Sequence, residues 1–299
     1  MMSKGALPLL PITVLIAVKN EESNLPKCLA SLGCAERIVL IDSSSTDATA
    51  EIAAEYGAEI VQFDYRGGYP KKRQWALNEI FVESGWILLL DADEVVPNIV
   101  WQEIMAAIAK PSAPDAFLMT KGFHFLGKRF LFGGFSHSAV LLFRNGVAEF
   151  EELDISIETG LDMEVHERVL VNGRVGTIST PLIHEDFKGL KAYIERHNQY
   201  SSWEAGVRYS SLNKGVYGPK SIQSNLFGNT QERRRFLKNI AIRMPFEPVL
   251  WFVYHYIFRL GFLEGRRGLI ASQIRSAYIS QARAKLYELE LSANESLKN

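Results

Sequence analysis

Short apolar runs alternate with amphipathic stretches along the first hundred residues. Thr13–Val18 (TVLIAV) is a β-rich run that stops abruptly at Lys19-Asn20-Glu21-Glu22. The uncharged stretch before it, Gly5–Val18, is fourteen residues long and carries Pro8 and Pro11. It has no small-residue cleavage site before Lys19, so it reads as a loose N-terminus leading into a buried strand rather than a secretory leader. A helix is expected next, capped by Ser23 or Asn24, with Pro26 in its first turn and Leu25, Leu29 and Leu32 on one face. Arg37–Ile41 is a second strand, ended by Asp42-Ser43-Ser44-Ser45-Thr46-Asp47, and the helix after it runs through Tyr56 to a stop at Gly57. Ile60–Phe63 is a third strand. A helix from about Lys71 then precedes a fourth, Trp86–Leu90, which ends in Asp91-Ala92-Asp93-Glu94.

Strands alternating with helices at this spacing predict a parallel, helix-flanked sheet of the Rossmann-like α/β class. Ligands of such sheets bind beyond the carboxyl ends of the strands. Polar residues cluster at those ends: Asn20 and Glu22, Asp42, Asp91 and Asp93. Beyond a helix near Asn98–Ala109 the alternation fails. Residues 115 to 185 read as mixed strands with Gly turns, and from Lys188 to about Glu290 the pattern is helical and aromatic. Three parts follow: 1–114, an α/β half; 115–187, a mixed-strand half; and 188–299, a helical extension.

Composition narrows the picture. The 299 residues hold 33 Lys and Arg against 34 Asp and Glu, a net charge of −1, and 47% are hydrophobic. That is too apolar for a disordered chain, and the charge balance argues against a nucleic-acid partner. Two cysteines, Cys28 and Cys34, make no disulfide framework and point to a reducing compartment. The uncharged stretches Gly5–Val18 and Phe130–Phe143 fall short of the roughly twenty apolar residues of a spanning helix.

Asp91-Ala92-Asp93 sets two carboxylates just past a dry strand, where a hard divalent cation such as Mg²⁺ or Mn²⁺ would join them to the oxygens of a diphosphate. A solvated helix start is the competing reading. Lys71-Lys72-Arg73 opens the preceding helix, where cations oppose the macrodipole. An anion such as a diphosphate would compensate them, Arg73 offering a forked contact; a solvated basic patch is the alternative.

The motifs TVLIAVKNEESNL, IVLIDSSSTDAT and KKRQWALNEIFVESGWILLLDADEVV, in this order over residues 12 to about 100, resemble those of family 2 glycosyltransferases of GT-A fold. The resemblance implies a nucleotide-diphosphate sugar donor and inversion at the anomeric carbon. It implies that Ala17, Asn20 and Glu22 border the nucleoside pocket, that Asp42 accepts from the base, that Asp93 ligates the metal, and that Asp91 faces the ribose or the metal. Where the family commonly has Asp-Asp-Gly-Ser, this chain has Asp42-Ser43-Ser44-Ser45. YIERHNQYSSWEA and GFLEGRRGL resemble, more loosely, the branch that adds β-glucose to the inner core of bacterial lipopolysaccharide. That branch implies UDP-glucose as donor, a membrane-held glycolipid acceptor, and a peripheral place on the cytoplasmic face of the bacterial inner membrane. Arg196, Asn198 and Tyr200 would then line the acceptor groove.

Inverting transfer needs a carboxylate to take the proton of the acceptor hydroxyl and a cation to hold charge on the leaving group. The segment 151–167 is crowded with acids. Glu167 stands out in His166-Glu167 before an apolar run. By the same resemblance, in which such a pair supplies the acceptor-side carboxylate, it is the expected general base, and Asp162 is its alternate. Pairing of Glu167 with Arg168 or Arg174 is the purely structural reading. His184, in PLIHED at a strand end, is expected from the resemblance to GT-A enzymes to complete the metal shell, against a merely structural role.

Residues 232 to 285 hold eleven Lys and Arg against three Glu, a local +8, which leaves −9 for the remainder. Aromatic residues lie among these charges in PFEPVLWFVYHYIFRLGFL, which suits a helix in the headgroup plane of an anionic membrane. A core helix or a homo-oligomer interface is the competing reading. The expected activity is transfer of a sugar to a glycolipid such as lipopolysaccharide core. Rivals are a polyprenyl phosphate or exopolysaccharide acceptor, a nucleotidyltransferase (against which the Gly-free LIAVKNEESNL counts), and a catalytically degenerate membrane scaffold.

Overall fold

A computed structural model describes residues 7–83, 85–153, 162, 164, 167–186, 188–215, 217–228 and 230–296. His166, Asp154 and Glu158 lie outside the described residues. Two compact units divide the chain. The first holds residues 1–129, 136–150 and 162–188; the second holds 130–135, 151–161 and 189–299.

The first unit is built on the apolar runs. Strand β1 (Leu10–Val18) is buried at every position but Pro11, as expected of a strand covered on both faces. It begins three residues before the run read from the sequence. Pro11 has no N–H to give, and the register with the next strand slips between Leu10 and Thr13, which lets the strand start there. Helix α1 (Leu25–Ala30) follows, with Pro26 in its first turn. Asn24 is its N-cap residue, yet its side chain does not cap the helix. The amide donates instead to Glu21 Oε2 at 2.8 Å and Asp186 Oδ1 at 3.3 Å. Strand β2 (Ala35–Asp42) leads to α2 (Thr49–Glu55), which ends at Tyr56 before Gly57, at φ +68°. Strand β3 (Glu59–Gln62), α3 (Lys72–Glu79), β4 (Trp86–Asp91), the short β5 (Glu94–Val95) and α4 (Asn98–Ile108) complete the alternating region. Six further strands follow: β6 (Ala116–Phe125), β7 (Lys128–Arg129), β8 (His137–Arg144), β9 (Ala148–Phe150), β10 (Val169–Val171) and β11 (Val175–His184).

Among the described residues, nine strands form one sheet in the order β3-β2-β1-β4-β8-β6-β11-β5, with β7 beside β6. β1, β2, β3 and β4 are mutually parallel, and β8 is antiparallel to both β4 and β6. β6 therefore points the same way as β4, and so does β11, its parallel neighbour. The mostly parallel α/β sheet flanked by helices is the expected class. Ile12, Val14, Ile16, Leu88 and Leu90 carry one apolar face of the sheet against α1 and α4. Each such fully buried side chain contributes roughly 1.5–3 kcal/mol. Cys28 and Cys34 are free and buried.

The second unit carries the helical extension: α5 (Gly189–Lys214), α6 (Thr230–Arg243), α7 (Glu247–Val253), a π-helical turn Tyr254–Phe258, a 3₁₀ turn Gly261–Glu264, and α8 (Arg266–Ser296). Its interior is unusually ionic. Arg208 on α5 pairs with Glu204 at 2.7 Å and Glu247 at 2.8 Å, and Tyr278 on α8 donates to Glu204 at 2.6 Å. Arg235 on α6 pairs with Glu151 at 2.6 Å, and both are buried. Buried charges are tolerated when paired in this way.

Candidate active site

Register brings the polar strand ends together. Val18 lies beside Asp42 and Ala17 beside Asp91, so the carboxyl ends of β1, β2 and β4 are level at one edge of the sheet. Asn20 takes a left-handed backbone (φ +55°) just past β1, a conformation Asn tolerates better than most residues. Its Oδ1 accepts from the Thr46 N–H at 2.8 Å, and its own N–H donates to Ser45 Oγ at 2.9 Å. Glu22 Oε2 accepts from the Ala48 N–H, and the Glu22 N–H donates to Asp47 Oδ2. These bonds stitch the loop after β1 to the loop after β2. Asp42 is buried and accepts from the Ser45 N–H and hydroxyl and from Gln62 Nε2 at 3.1 Å. Ala17, Asn20, Glu22 and Asp42, all expected around a nucleoside, thus share one edge.

Asp91 ends β4 between two cations. Its Oδ1 pairs with Arg73 and its Oδ2 with Lys121 Nζ at 2.5 Å. Burial alone would raise the Asp91 pKa, but the charges of Arg73 and Lys121 hold it far below the usual carboxylate range. Lys121 also lies 2.5 Å from Glu94 Oε1, and Glu94 Oε2 accepts the Asp91 N–H at 3.0 Å. Burial, aided by the nearby Asp91 charge and opposed by Lys121, pushes Glu94 up to about 7. Two residues on, Asp93 Oδ2 meets His184 Nε2 at 3.2 Å, where the end of β11 pairs with β5. Burial works against the charged ring, yet Asp93 overrides it and raises His184 to about 9.

The basic start of α3 is not a solvated patch, since its three cations face carboxylates of this chain. Lys71 Nζ pairs with Glu167 Oε1 at 2.7 Å and Lys72 Nζ with Asp162 Oδ2 at 2.9 Å. Lys72 also donates to the Val18 carbonyl. Glu164, 2% exposed, receives the N–H groups of Arg73 and Gln74 at 3.0 and 2.9 Å. The anion that the helix start demands is therefore supplied by carboxylates some ninety residues downstream. Glu167 and Asp162, the two expected bases, stand side by side with α3 as ion-pair partners. The Glu167 side chain is 3% exposed.

Sequence reasoning passed over Lys121, Glu94 and Glu164. Lys121 is a lone lysine in an apolar strand, AFLMTKGFHF, and lysine is almost never buried without a partner. That was the available signal. Glu164 stood undistinguished in an acidic run, since its partner, the start of α3, lies far away in the chain.

Hard divalent ions accept carboxylate oxygens and keep several waters or phosphate oxygens. Among the described residues no group of three His, Cys, Asp or Glu could hold a metal. Asp93 and His184 meet at a strand end, and His184 Nδ1 is buried without a hydrogen-bond partner. Such a pair fits a cation whose remaining ligands come from a diphosphate and water, with His184 neutral when it ligates. Both oxygens of Asp91 already face cations of this chain.

The family model for glycosyl transferase family 2 matches residues 13–129. The chain carries a family 2 glycosyltransferase domain. It is similar to the lipopolysaccharide core biosynthesis glycosyltransferase LpsC of Rhizobium meliloti (strain 1021), at 27% identity over 295 residues that cover 94% of each chain. An uncharacterized glycosyltransferase of Rickettsia bellii (strain RML369-C) is 23% identical over 307 residues, covering 96% of this chain and 90% of that relative. The mannosyltransferase PcManGT from Pyrobaculum calidifontis, solved in complex with GDP-Man and Mn²⁺, is 13% identical; the match covers 93% of this chain and 87% of its own, with a TM-score of 0.49. The family 2 domain contains Ala17, Asn20, Glu22, Asp42, Arg73, Asp91 and Asp93. Asp162, Glu167 and His184 are contributed from beyond it.

Proposed function

We propose that this chain is an inverting glycosyltransferase that moves a sugar from a nucleotide-diphosphate donor, UDP-glucose being the expected one, onto a membrane glycolipid such as lipopolysaccharide core. The observation that carries the reading is the level edge at which Asp42, Asp91 and the Asp93–His184 pair meet, inside and beside a family 2 domain. Similarity to LpsC over 94% of each chain supports the acceptor class. In this reading residues 1–114 bind the donor, 115–187 supply acceptor-side and catalytic groups, and 188–299 associate with the membrane at the cytoplasmic face.

Asp42 receives the base, while Asn20 and Glu22 hold the loop that walls the nucleoside. Asp93 and His184 would hold Mg²⁺ or Mn²⁺, which supplies positive charge to the departing diphosphate. Asp91, fixed by Arg73 and Lys121, faces the ribose, and Arg73 offers its remaining donors to the diphosphate. Glu167, or Asp162 in its place, leaves its lysine to take the acceptor proton. The tight pairing of both carboxylates favours a second reading, a degenerate site. Thermal shift with UDP-, GDP- and dTDP-sugars, with and without Mn²⁺, tests the proposal. A metal-dependent rise in Tm with one donor is expected, and no response to any donor would favour the degenerate site.

A further inference from the structure

The segment 243–267 sorts its charges by sign. Its two acids turn inward. Glu247 is buried against Arg208 and Arg283. Glu264, 4% exposed, accepts the N–H groups of Leu131 and Phe132 at 2.6 and 2.8 Å. Its exposed positions carry Arg243, Arg259, Arg266 and Arg267 and no acid; apart from Gly265, all the others are apolar or, at Tyr254, aromatic. Phe246 is 69% exposed, Phe258 71% and Leu263 50%.

The backbone here is not one continuous α-helix, so the exposed side chains are not a regular helix stripe. The π-helical turn Tyr254–Phe258 passes through Leu260, left-handed at φ +60°, into the 3₁₀ turn Gly261–Glu264. The inner side is anchored. The Gly133 N–H donates to the Arg259 carbonyl at 2.8 Å, His255 Nδ1 meets the Gly133 carbonyl at 2.6 Å, and Trp251 stacks on His255 at 3.9 Å. That anchoring also fixes the loop 130–135, whose Leu131 is 73% exposed. Large apolar side chains left this exposed beside cations mark an interaction site.

We infer that this face of the second unit, centred on Phe246, Phe258, Phe262 and Leu263 and ringed by Arg259, Arg266 and Arg267, seats itself in the headgroup layer of an anionic lipid bilayer. Charge selects the occupant: a purely cationic rim around apolar side chains matches anionic headgroups above acyl chains. Among the described residues no helix is long and apolar enough to cross a membrane, so the seating is in the plane. It rests on the proposed membrane association of residues 188–299, for which it names the seating face and the lipid class. It does not depend on which sugar moves, so loss of donor binding would leave it standing.

The test is co-sedimentation of the full chain with vesicles of phosphatidylglycerol and phosphatidylethanolamine, against vesicles of phosphatidylcholine. Binding to the anionic vesicles is expected, weakened by salt. Phe246→Ser with Phe258→Ser should lower the partition coefficient by at least about tenfold. Arg266→Gln and Arg267→Gln should each lower it roughly fivefold. All four positions are exposed, and an unchanged thermal unfolding curve verifies that each variant folds. Equal binding by wild type and variants, or equal binding to both lipids, overturns the inference. So does a vesicle-free dimer that the Phe variants dissociate, which would make a second copy the occupant.

Discussion

Lys71 Nζ lies 2.7 Å from Glu167 Oε1, and both side chains are almost wholly withdrawn from water. If Glu167 is the base, the pair is its resting state. Glu167→Gln should then cut kcat by about 10²–10⁴-fold while donor affinity stays within about threefold. A variant that transfers at near-normal rate but unfolds earlier would assign Glu167 to structure alone.

Lys121 bridges Asp91 and Glu94 at the end of the sheet. Lys121→Met takes from Glu94 the cation it pairs with and leaves Asp91 with Arg73. Removing one partner of a buried ion pair costs about 3–5 kcal/mol. Denaturant unfolding of the variant should show a loss of that order, and a loss below about 1 kcal/mol would mean that Arg73 alone suffices for Asp91.

Much of the first unit could be read from the chain, because strands buried on both faces leave continuous apolar runs and their polar ends stand out. Thr13–Val18, Arg37–Ile41 and Trp86–Leu90 marked three central strands, and Asp42, Asp91 and Asp93 marked one edge. The insertion of β8 between β4 and β6 could not be read, since antiparallel pairing with distant strands leaves no local trace. The partners of Lys71, Lys72 and Arg73 were hidden for the same reason. Their carboxylates lie in a run of acids where local pattern does not separate the buried from the solvated.

Asp47 ties the loop after β1 to the start of α2. It accepts from the Glu22 N–H, and from the N–H and hydroxyl of Thr49. Partial burial would raise its pKa, but these bonds together bring it below its ordinary value near 3.8. A carboxylate depressed in the folded state stabilises fully above its unfolded pKa, and the benefit is lost as pH falls through the folded value. Acid unfolding below about pH 3.8 should therefore be shallower in Asp47→Asn, which is also less stable at pH 7. Parallel acid limbs in the two proteins would contradict this.

In the second unit, Arg208 is shared by Glu204 and Glu247. Arg208→Met partly strands two buried carboxylates, leaving Glu247 with Arg283 and Glu204 with Lys238 and the Tyr278 hydroxyl, and should cost up to about 3–5 kcal/mol. The triple change Arg208→Met, Glu204→Gln, Glu247→Gln should recover a large part of that loss, because the stranded charges are gone. Thermal unfolding checks both, and a single variant as stable as wild type would show that the network contributes nothing.

The central claim is that Asp93, held against His184, organises metal-dependent donor binding at the strand ends. Calorimetric titration of the responding nucleotide-sugar, with Mn²⁺ and then with excess chelator, tests it most directly on wild type and Asp93→Ala. The account predicts binding to wild type that chelator weakens by at least about tenfold, and binding to Asp93→Ala that is equally weak whether or not Mn²⁺ is present. Equal affinity of Asp93→Ala and wild type in Mn²⁺ would contradict it.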